Sequence, residues 1–212
     1  MKVETIAELT TAAGTLVLAV ATFAATRSAN RSSRFAEATL LAGLRPVLVP
    51  TRLDDRRQKV GFMDEHWCMV EGSFAAAEVV GDLVYLVLPV RNAGSGVAVL
   101  RGWHPVRDLM SSRDHGEHQP VDEFRLHQRD MFVPAGDLGF WQAAMRDGDE
   151  ERSMIAGQID RRERFAVDVL YSDLHGGQQA ITRFAFAPAH DDRWISSMSR
   201  HWQLEGPPVS SR

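Results

Sequence analysis

The stretch that decides the fold runs from Asp82 to His104 and reads DLVYLVLPVRNAGSGVAVLRGWH. Its first half, Leu83 to Val90, is apolar on both alternating faces. Such a strand has to be covered on both sides, so we predict that it lies at the centre of a domain. Two glycines and an asparagine interrupt the pattern at residues 92–96, and an apolar run resumes at Val97. This arrangement predicts a core β-hairpin with a glycine-rich connection.

Short alternating segments continue on both sides of this stretch. Further strands are predicted at residues 46–50, 66–70, 73–80, 124–133, 139–145, 165–171, 180–186 and 194–204. Residues 73–80 hold three alanines and also fit a short helix, and residues 153–164 have an ambiguous pattern for which a short helix is the interpretation. Many short strands separated by turns favour a mainly β domain over residues 46–205, built as an antiparallel, Ig-like two-sheet β-sandwich. The tail at residues 206–212 holds two prolines and no periodic pattern, and we predict that it is disordered.

The N-terminal region predicts a long helix that crosses a membrane. Residues 9–26, LTTAAGTLVLAVATFAAT, carry no charge over 18 positions, which is about the length needed to span a ~30 Å hydrocarbon core. Five threonines dilute the apolar residues, but a threonine hydroxyl can bond to a carbonyl within its own helix. The alternative is a buried helix of a soluble domain. A cleaved signal peptide is disfavoured because Glu4 and Glu8 leave the leader net acidic.

The charges that flank residues 9–26 predict an orientation. One lysine precedes the segment, and eight basic residues lie between Arg27 and Lys59. Because positive charge stays on the cytoplasmic side, the expected arrangement is a single-pass protein of the inner (plasma) membrane with its C-terminal domain in the cytoplasm. Residues 1–26 then form the short N-terminus and the transmembrane helix, and residues 27–45 form a helical juxtamembrane stalk that ends before Pro46.

Composition limits the partners of the main domain. The net charge of −4 divides into +4 over residues 1–62 and −8 over the remainder. An acidic domain disfavours nucleic acid as a partner, because phosphate binding needs clustered Lys and Arg. The single cysteine, Cys68, excludes an internal disulfide and is interpreted as a buried core thiol.

Four segments carry a resemblance to a known group of proteins. They are AGTLVLAVATFAATRSANR at 13–31, LLAGLRPVLVP at 40–50, VRNAGSGVAVLRGWH at 90–104 and LYSDLHGGQQAITRF at 170–184. In these segments the chain resembles a family of membrane-anchored β-sandwich proteins of actinobacterial type. The resemblance runs along most of the chain and implies the anchored-sandwich layout, with no established activity to carry over.

Four histidines lie in one region of the sequence and are the candidate metal ligands: His104, His115, His118 and His127. Metal-binding histidines need a fixed geometry on a rigid element, whereas His115 and His118 lie in a polar loop without cysteine. Surface histidines are therefore the simpler interpretation, and no cofactor is expected. A metal-dependent or hydrolytic enzyme that uses this region is the alternative function.

Two loops are candidates for binding a ligand or partner. The first contains Asn92, Gly94, Ser95 and Gly96, whose spacing matches neither a phosphate-binding loop nor a nucleophile elbow. It either binds a partner or reverses the chain, with Gly94 or Gly96 at positive φ.

The second candidate loop contains Asp173 and His175, which form either an acid–base pair or a turn. No convergent catalytic set is evident in the sequence. We therefore expect a membrane-anchored, non-enzymatic binding or scaffold module that presents its β-sandwich to a protein partner. Self-association into a homo-oligomer is also compatible with the sequence.

Overall fold

The structure is a computed structural model that describes residues 2–106 and 117–204. The chain divides into two compact units, residues 1–43 and residues 44–212. The first unit is helical, and the second contains all of the strands among the described residues.

Helix α1, Lys2–Gly43, is a single element of 42 residues, so the predicted span and the predicted stalk belong to one helix. The hydroxyls of Thr22 and Thr26 each donate to the carbonyl four residues earlier, at 2.8 Å, as the sequence predicted. Large apolar side chains of α1 are exposed: Leu16, Leu18, Val20, Phe23, Phe35 and Leu40. Among the described residues, no helix combines the length and the apolar character that a membrane span requires. The predicted transmembrane segment at residues 9–26, diluted by its threonines, is thus not confirmed.

The second unit is built mainly of β-strands. Its elements are β1 Leu48–Pro50, β2 Gln58–Gly61, β3 Trp67–Val70, β4 Phe74–Val80, β5 Leu83–Asn92, β6 Ala98–Val106, a 3₁₀ turn at Val121–Glu123, β7 Arg125–Val133, β8 Leu138–Met145, α2 Arg152–Asp160, β9 Phe165–Ser172, β10 Gln179–Pro188 and β11 Trp194–Leu204. The predicted strands and the predicted short helix all appear, with boundaries that shift by a few residues. The tail at 206–212 lies outside the described residues.

Nine strands form one antiparallel sheet that curls on itself. The order is β1-β5-β4-β11-β10-β9-β6-β7, and β8 pairs with β5. Only two residue pairs, Trp194↔Ala75 and Ile195↔Phe74, join β11 to β4. This narrow joint separates a first half (β1, β4, β5, β8) from a second half (β6, β7, β9, β10, β11). The antiparallel β class is confirmed, whereas a division into two separate sheets is not.

The predicted hairpin between Leu83–Val90 and Val97–Trp103 is wrong. Strand β5 pairs with β1, β4 and β8, and β6 pairs with β7 and β9. The glycine-rich connection instead carries the chain from the first half of the sheet to the second. Adjacency in sequence favoured pairing, but each of the two strands pairs with other strands on both of its edges.

The main core contains side chains from both halves of the sheet and from α2. Its largest fully buried members are Leu48, Leu86, Leu88, Leu100, Trp141, Met145, Ile155, Phe165, Tyr171, Phe184 and Phe186. On the opposite face of β5, Tyr85 and Val87 belong to a second cluster with Val60, Cys68 and Val70 of the β2–β3 hairpin. The prediction that β5 is covered on both sides is therefore confirmed.

Candidate functional site

The β2–β3 hairpin (residues 58–70) forms a two-stranded sheet of its own over β5. Alternation along β3 turns Cys68 and Val70 inward, while Trp67 and Met69 are half exposed. The Trp67 ring covers Gly61 on the paired strand, so that a Cβ at Gly61 would lie 2.7 Å from the ring. The hairpin therefore has a packed inner face and an apolar outer face.

Three side chains with metal-ligand chemistry meet beneath this hairpin. The Nε2 atom of His66 lies 2.9 Å from a carboxylate oxygen of Glu78, and the Cys68 thiol completes a group whose ligand atoms lie within 4.8 Å of one another. We call His66, Cys68 and Glu78 the hairpin cluster. Burial, and then the nearby Glu78 carboxylate, raise the pKa of the Cys68 thiol to about 12.

Two aromatic rings hold His66 in place. Its imidazole stacks on Tyr85, with ring centroids 4.0 Å apart and planes 20° apart, and Phe62 meets Tyr85 edge-on at 4.8 Å. The Tyr85 hydroxyl donates to the Asp64 carboxylate. Burial together with this bond raises the pKa of Tyr85 to about 12, while the same bond lowers the pKa of Asp64. The imidazole thus stacks on a phenol that keeps its proton near neutral pH, and that phenol is itself held by the Asp64 carboxylate.

The first candidate loop contacts residues 44–47, at the start of the second unit. Its Asn92 side chain accepts bonds from the backbone N–H groups of Val47 and Gly94, at 3.1 and 3.0 Å. The same side chain donates to the carbonyls of Gly96 and Val133, at 2.7 and 3.0 Å. Asn92 is fully buried, so these bonds satisfy an amide that is removed from water.

The two glycines of this loop are required by close approach and not by positive φ. A Cβ on Gly94 would lie 2.1 Å from the carbonyl oxygen of Arg45, and one on Gly96 would lie 1.8 Å from that of Leu44. Neither glycine has a left-handed backbone. Ser95, between them, is exposed. The structural interpretation of this loop is therefore supported by contacts that the sequence did not reveal.

The second candidate loop approaches the same segment. The Oδ1 atom of Asp173 accepts the backbone N–H of Gln178 at 3.2 Å and closes the turn, while His175 is exposed. The Gln178 side chain accepts a bond from the Arg45 guanidinium at 3.1 Å, and Arg45 also donates to Gln203. Both loops thus meet around residues 44–47.

A small pocket of about 200 Å³ opens beside Arg45 and Gln178 and is also lined by His201 and Gln203. Behind it, the hydroxyl of Thr182 lies 3.0 Å from the Nδ1 atom of His201. Burial lowers the pKa of His201. The pocket offers polar groups, but Arg45 already donates to the side chains of Gln178 and Gln203.

The candidate histidines do not gather into a ligand set in the described part of the chain. His104 faces Phe124 at 5.9 Å, and His118 lies edge-on to Trp202 at 5.7 Å. His127 has no hydrogen-bond partner for its buried Nε2 atom, and burial lowers its pKa to about 4. His115 lies outside the described residues. The group of three potential ligands in the described residues is the hairpin cluster instead.

Sequence reasoning missed the hairpin cluster, although one signal was present. His66 and Cys68 are two residues apart in a predicted strand and therefore share a face. The position of Glu78 could not be read from the sequence, because it depends on how the hairpin packs against β4.

Comparison with known proteins identifies no family to which the chain belongs. No family model, curated protein or solved structure matches the chain. The resemblance to membrane-anchored proteins of actinobacterial type therefore stays a prediction.

Proposed function

We propose that this chain is a non-enzymatic binding module that presents the outer face of the β2–β3 hairpin to a protein partner. The observation that carries the proposal is the apolar surface of this hairpin: Trp67 and Met69 are 54% and 50% exposed, and Met63 at its tip is 93% exposed. Exposed apolar side chains grouped on one face of a hairpin are typical of an interaction site.

The chemistry around Trp67 specifies the partner. The ammonium of Lys59 lies over the Trp67 ring, 4.4 Å from its centroid, so a cation lies against the apolar patch. Tryptophan and methionine are both enriched at protein interfaces. The partner surface that fits this patch combines apolar side chains with a carboxylate that faces Lys59.

The membrane anchor belongs to the same proposal. Its support is the uncharged run at residues 9–26, the basic residues that follow it and the exposed apolar side chains of α1. In this arrangement the second unit faces the cytoplasm, and tethering raises its local concentration at the membrane. The two-sheet sandwich is also proposed, because the main core joins side chains from both halves of the sheet across a narrow joint.

The alternative, a metal-dependent or hydrolytic enzyme that uses His104, His115, His118 and His127, receives less support. Its three described histidines do not meet as a ligand set.

Site-specific crosslinking of the full chain in native membranes tests the partner surface. A photo-crosslinking amino acid at position 69 is expected to capture one protein repeatedly, while the same group at position 174, where Leu174 is 57% exposed, is not. The captured protein is then purified, and Lys59→Glu is expected to weaken its binding about tenfold. Equal capture from both positions would contradict the proposal, and capture of a second copy alone would make the surface a self-association site.

A further inference from the structure

We propose that the hairpin cluster binds a divalent transition-metal ion of the zinc class through His66 Nε2, Cys68 Sγ and the Glu78 carboxylate. The proposal rests on the convergence of these three groups and does not depend on the partner surface. Each residue supplies one ligand atom, and all three atoms lie within 4.8 Å of one another.

The donor set selects the kind of metal. Imidazole and thiolate ligands suit Zn²⁺ and Co²⁺, whereas Mg²⁺ and Ca²⁺ are bound almost entirely by oxygen. From Zn–N and Zn–S distances of about 2.0 and 2.3 Å, neighbouring ligand atoms around a tetrahedral ion lie about 3.3–3.6 Å apart. His66 and Glu78 approach to 2.9 Å and the whole group lies within 4.8 Å, so binding requires this pair to part slightly and the widest pair to close by about 1 Å.

The scaffold under the cluster is rigid where a metal site requires it. Cys68 is fully buried on β3, directly opposite Val60 in the hairpin ladder. Glu78 lies on β4, opposite Tyr85 of the central strand β5, and Tyr85 in turn stacks on His66. Ligands held by packed and hydrogen-bonded neighbours lose little freedom when a metal binds.

The cluster is open on one side. The side chain of Glu78 is 43% exposed and that of His66 is 23% exposed, which gives an ion a path from solvent. Three protein ligands leave a fourth tetrahedral position for water or for an external group. The arrangement therefore matches a site with an open coordination position more closely than a closed structural site.

Metal binding at Cys68 requires only that the thiol lose its proton. Without metal, the buried Cys68 thiol keeps its proton, so the cluster holds no isolated buried thiolate. On binding, the S–H bond breaks, a sulfur–metal bond forms and one proton passes to solvent. No oxidant or reductant is needed.

Cobalt titration of the 212-residue chain, purified in detergent without added metal, tests the site. Coordination by sulfur is expected to give a thiolate-to-cobalt charge-transfer band in the near ultraviolet. Because Cys68 is the single cysteine, the band can be assigned without ambiguity. Added Zn²⁺ is expected to remove the band by displacing Co²⁺ at equal or lower concentration.

Variants separate a built site from a chance contact. Cys68→Ser is expected to abolish the band, and Glu78→Gln and His66→Asn are each expected to weaken Co²⁺ binding at least about tenfold. His118→Asn, outside the cluster, is the matched control and is expected to bind as the wild type does. Circular dichroism of each variant confirms folding, and Glu78→Gln, at a half-exposed position, keeps the test informative if Cys68→Ser unfolds. Absence of the band in the wild type, or a band unchanged in Glu78→Gln and His66→Asn, would overturn the proposal.

Discussion

Two polar groups lie on the outer faces of the two halves of the sheet, and they are built in opposite ways. In the second half, the guanidinium of Arg183 donates two bonds to the carboxylate of Asp168, at 2.7 and 2.8 Å, and both side chains are at least 96% buried. The Trp202 ring lies 5.1 Å from the guanidinium. In the first half, the hairpin cluster is partly exposed and its ligand atoms are not fully used by one another.

The difference separates a structural role from a binding role. The Arg183–Asp168 pair matches a planar donor to a planar acceptor in the bidentate geometry that compensates two buried charges. The hairpin cluster has an imidazole, a thiol and a carboxylate that together could satisfy a divalent cation. In a closed pair each group satisfies the other and nothing is left to bind, whereas an open cluster leaves donor groups available.

The largest expected effect comes from breaking the closed pair. Asp168→Ala leaves the Arg183 guanidinium buried without its carboxylate, so we expect the free energy of unfolding to fall by about 3–5 kcal/mol. Urea denaturation followed by tryptophan fluorescence measures the change. In the double variant Asp168→Leu/Arg183→Met, which removes both charges, most of the lost stability is expected to return. Equal losses in the single and double variants would show that packing, and not the unpaired charge, dominates.

Part of this fold could be predicted from the sequence because the information was local. The two apolar faces of Leu83–Val90 identified the central strand, and period-two alternation located strands such as Phe165–Tyr171. Strand pairing was not local. Gly94 and Gly96 suggested a reversal, whereas their small size instead admits the backbone of residues 44–45.

The candidate site shows the same limit. Cys68 was correctly predicted to be buried, but its neighbours could not be inferred, because Glu78 reaches it from another strand. The histidines close in sequence, His104, His118 and His127, do not bring their ligand atoms together as a group of three in the described residues. Proximity along the chain is a poor guide to convergence in a sheet whose strands pair over long distances.

A smaller loss of stability is expected from disrupting the close contact between Gly96 and the carbonyl of Leu44. Gly96→Val places side-chain atoms where the Leu44 carbonyl lies, and we expect a loss of about 1–3 kcal/mol in unfolding free energy. Gly177→Ala is the control, because Gly177 has open space around its Cβ position and no positive φ. Thermal melts of both variants make the comparison. A wild-type melting temperature for Gly96→Val would mean that residues 44–45 can move away from the loop without loss.

The smallest expected effect tests the open cluster itself. Glu78→Gln removes the carboxylate that lies 2.9 Å from His66 but keeps an oxygen acceptor, and a half-exposed polar contact contributes only about 0–1 kcal/mol even when both groups are charged. In metal-free buffer with a chelator, we therefore expect the unfolding free energy to fall by less than about 1 kcal/mol. A ligand that binds only the folded state adds RT ln(1 + [L]/Kd), so Zn²⁺ should raise the melting temperature of the wild type more than that of Glu78→Gln.

The stability of Glu78→Gln without metal also shows whether the hairpin cluster behaves like the Arg183–Asp168 pair. If Glu78→Gln instead costs about 3–5 kcal/mol without metal, as expected for the Asp168 variant, the hairpin cluster is a closed structural element like the Arg183–Asp168 pair. If it costs little without metal and loses the response to Zn²⁺, the cluster's carboxylate is held in place for binding. Chemical denaturation with and without Zn²⁺ distinguishes the two results, because the first appears in the metal-free curve and the second only in the difference between curves.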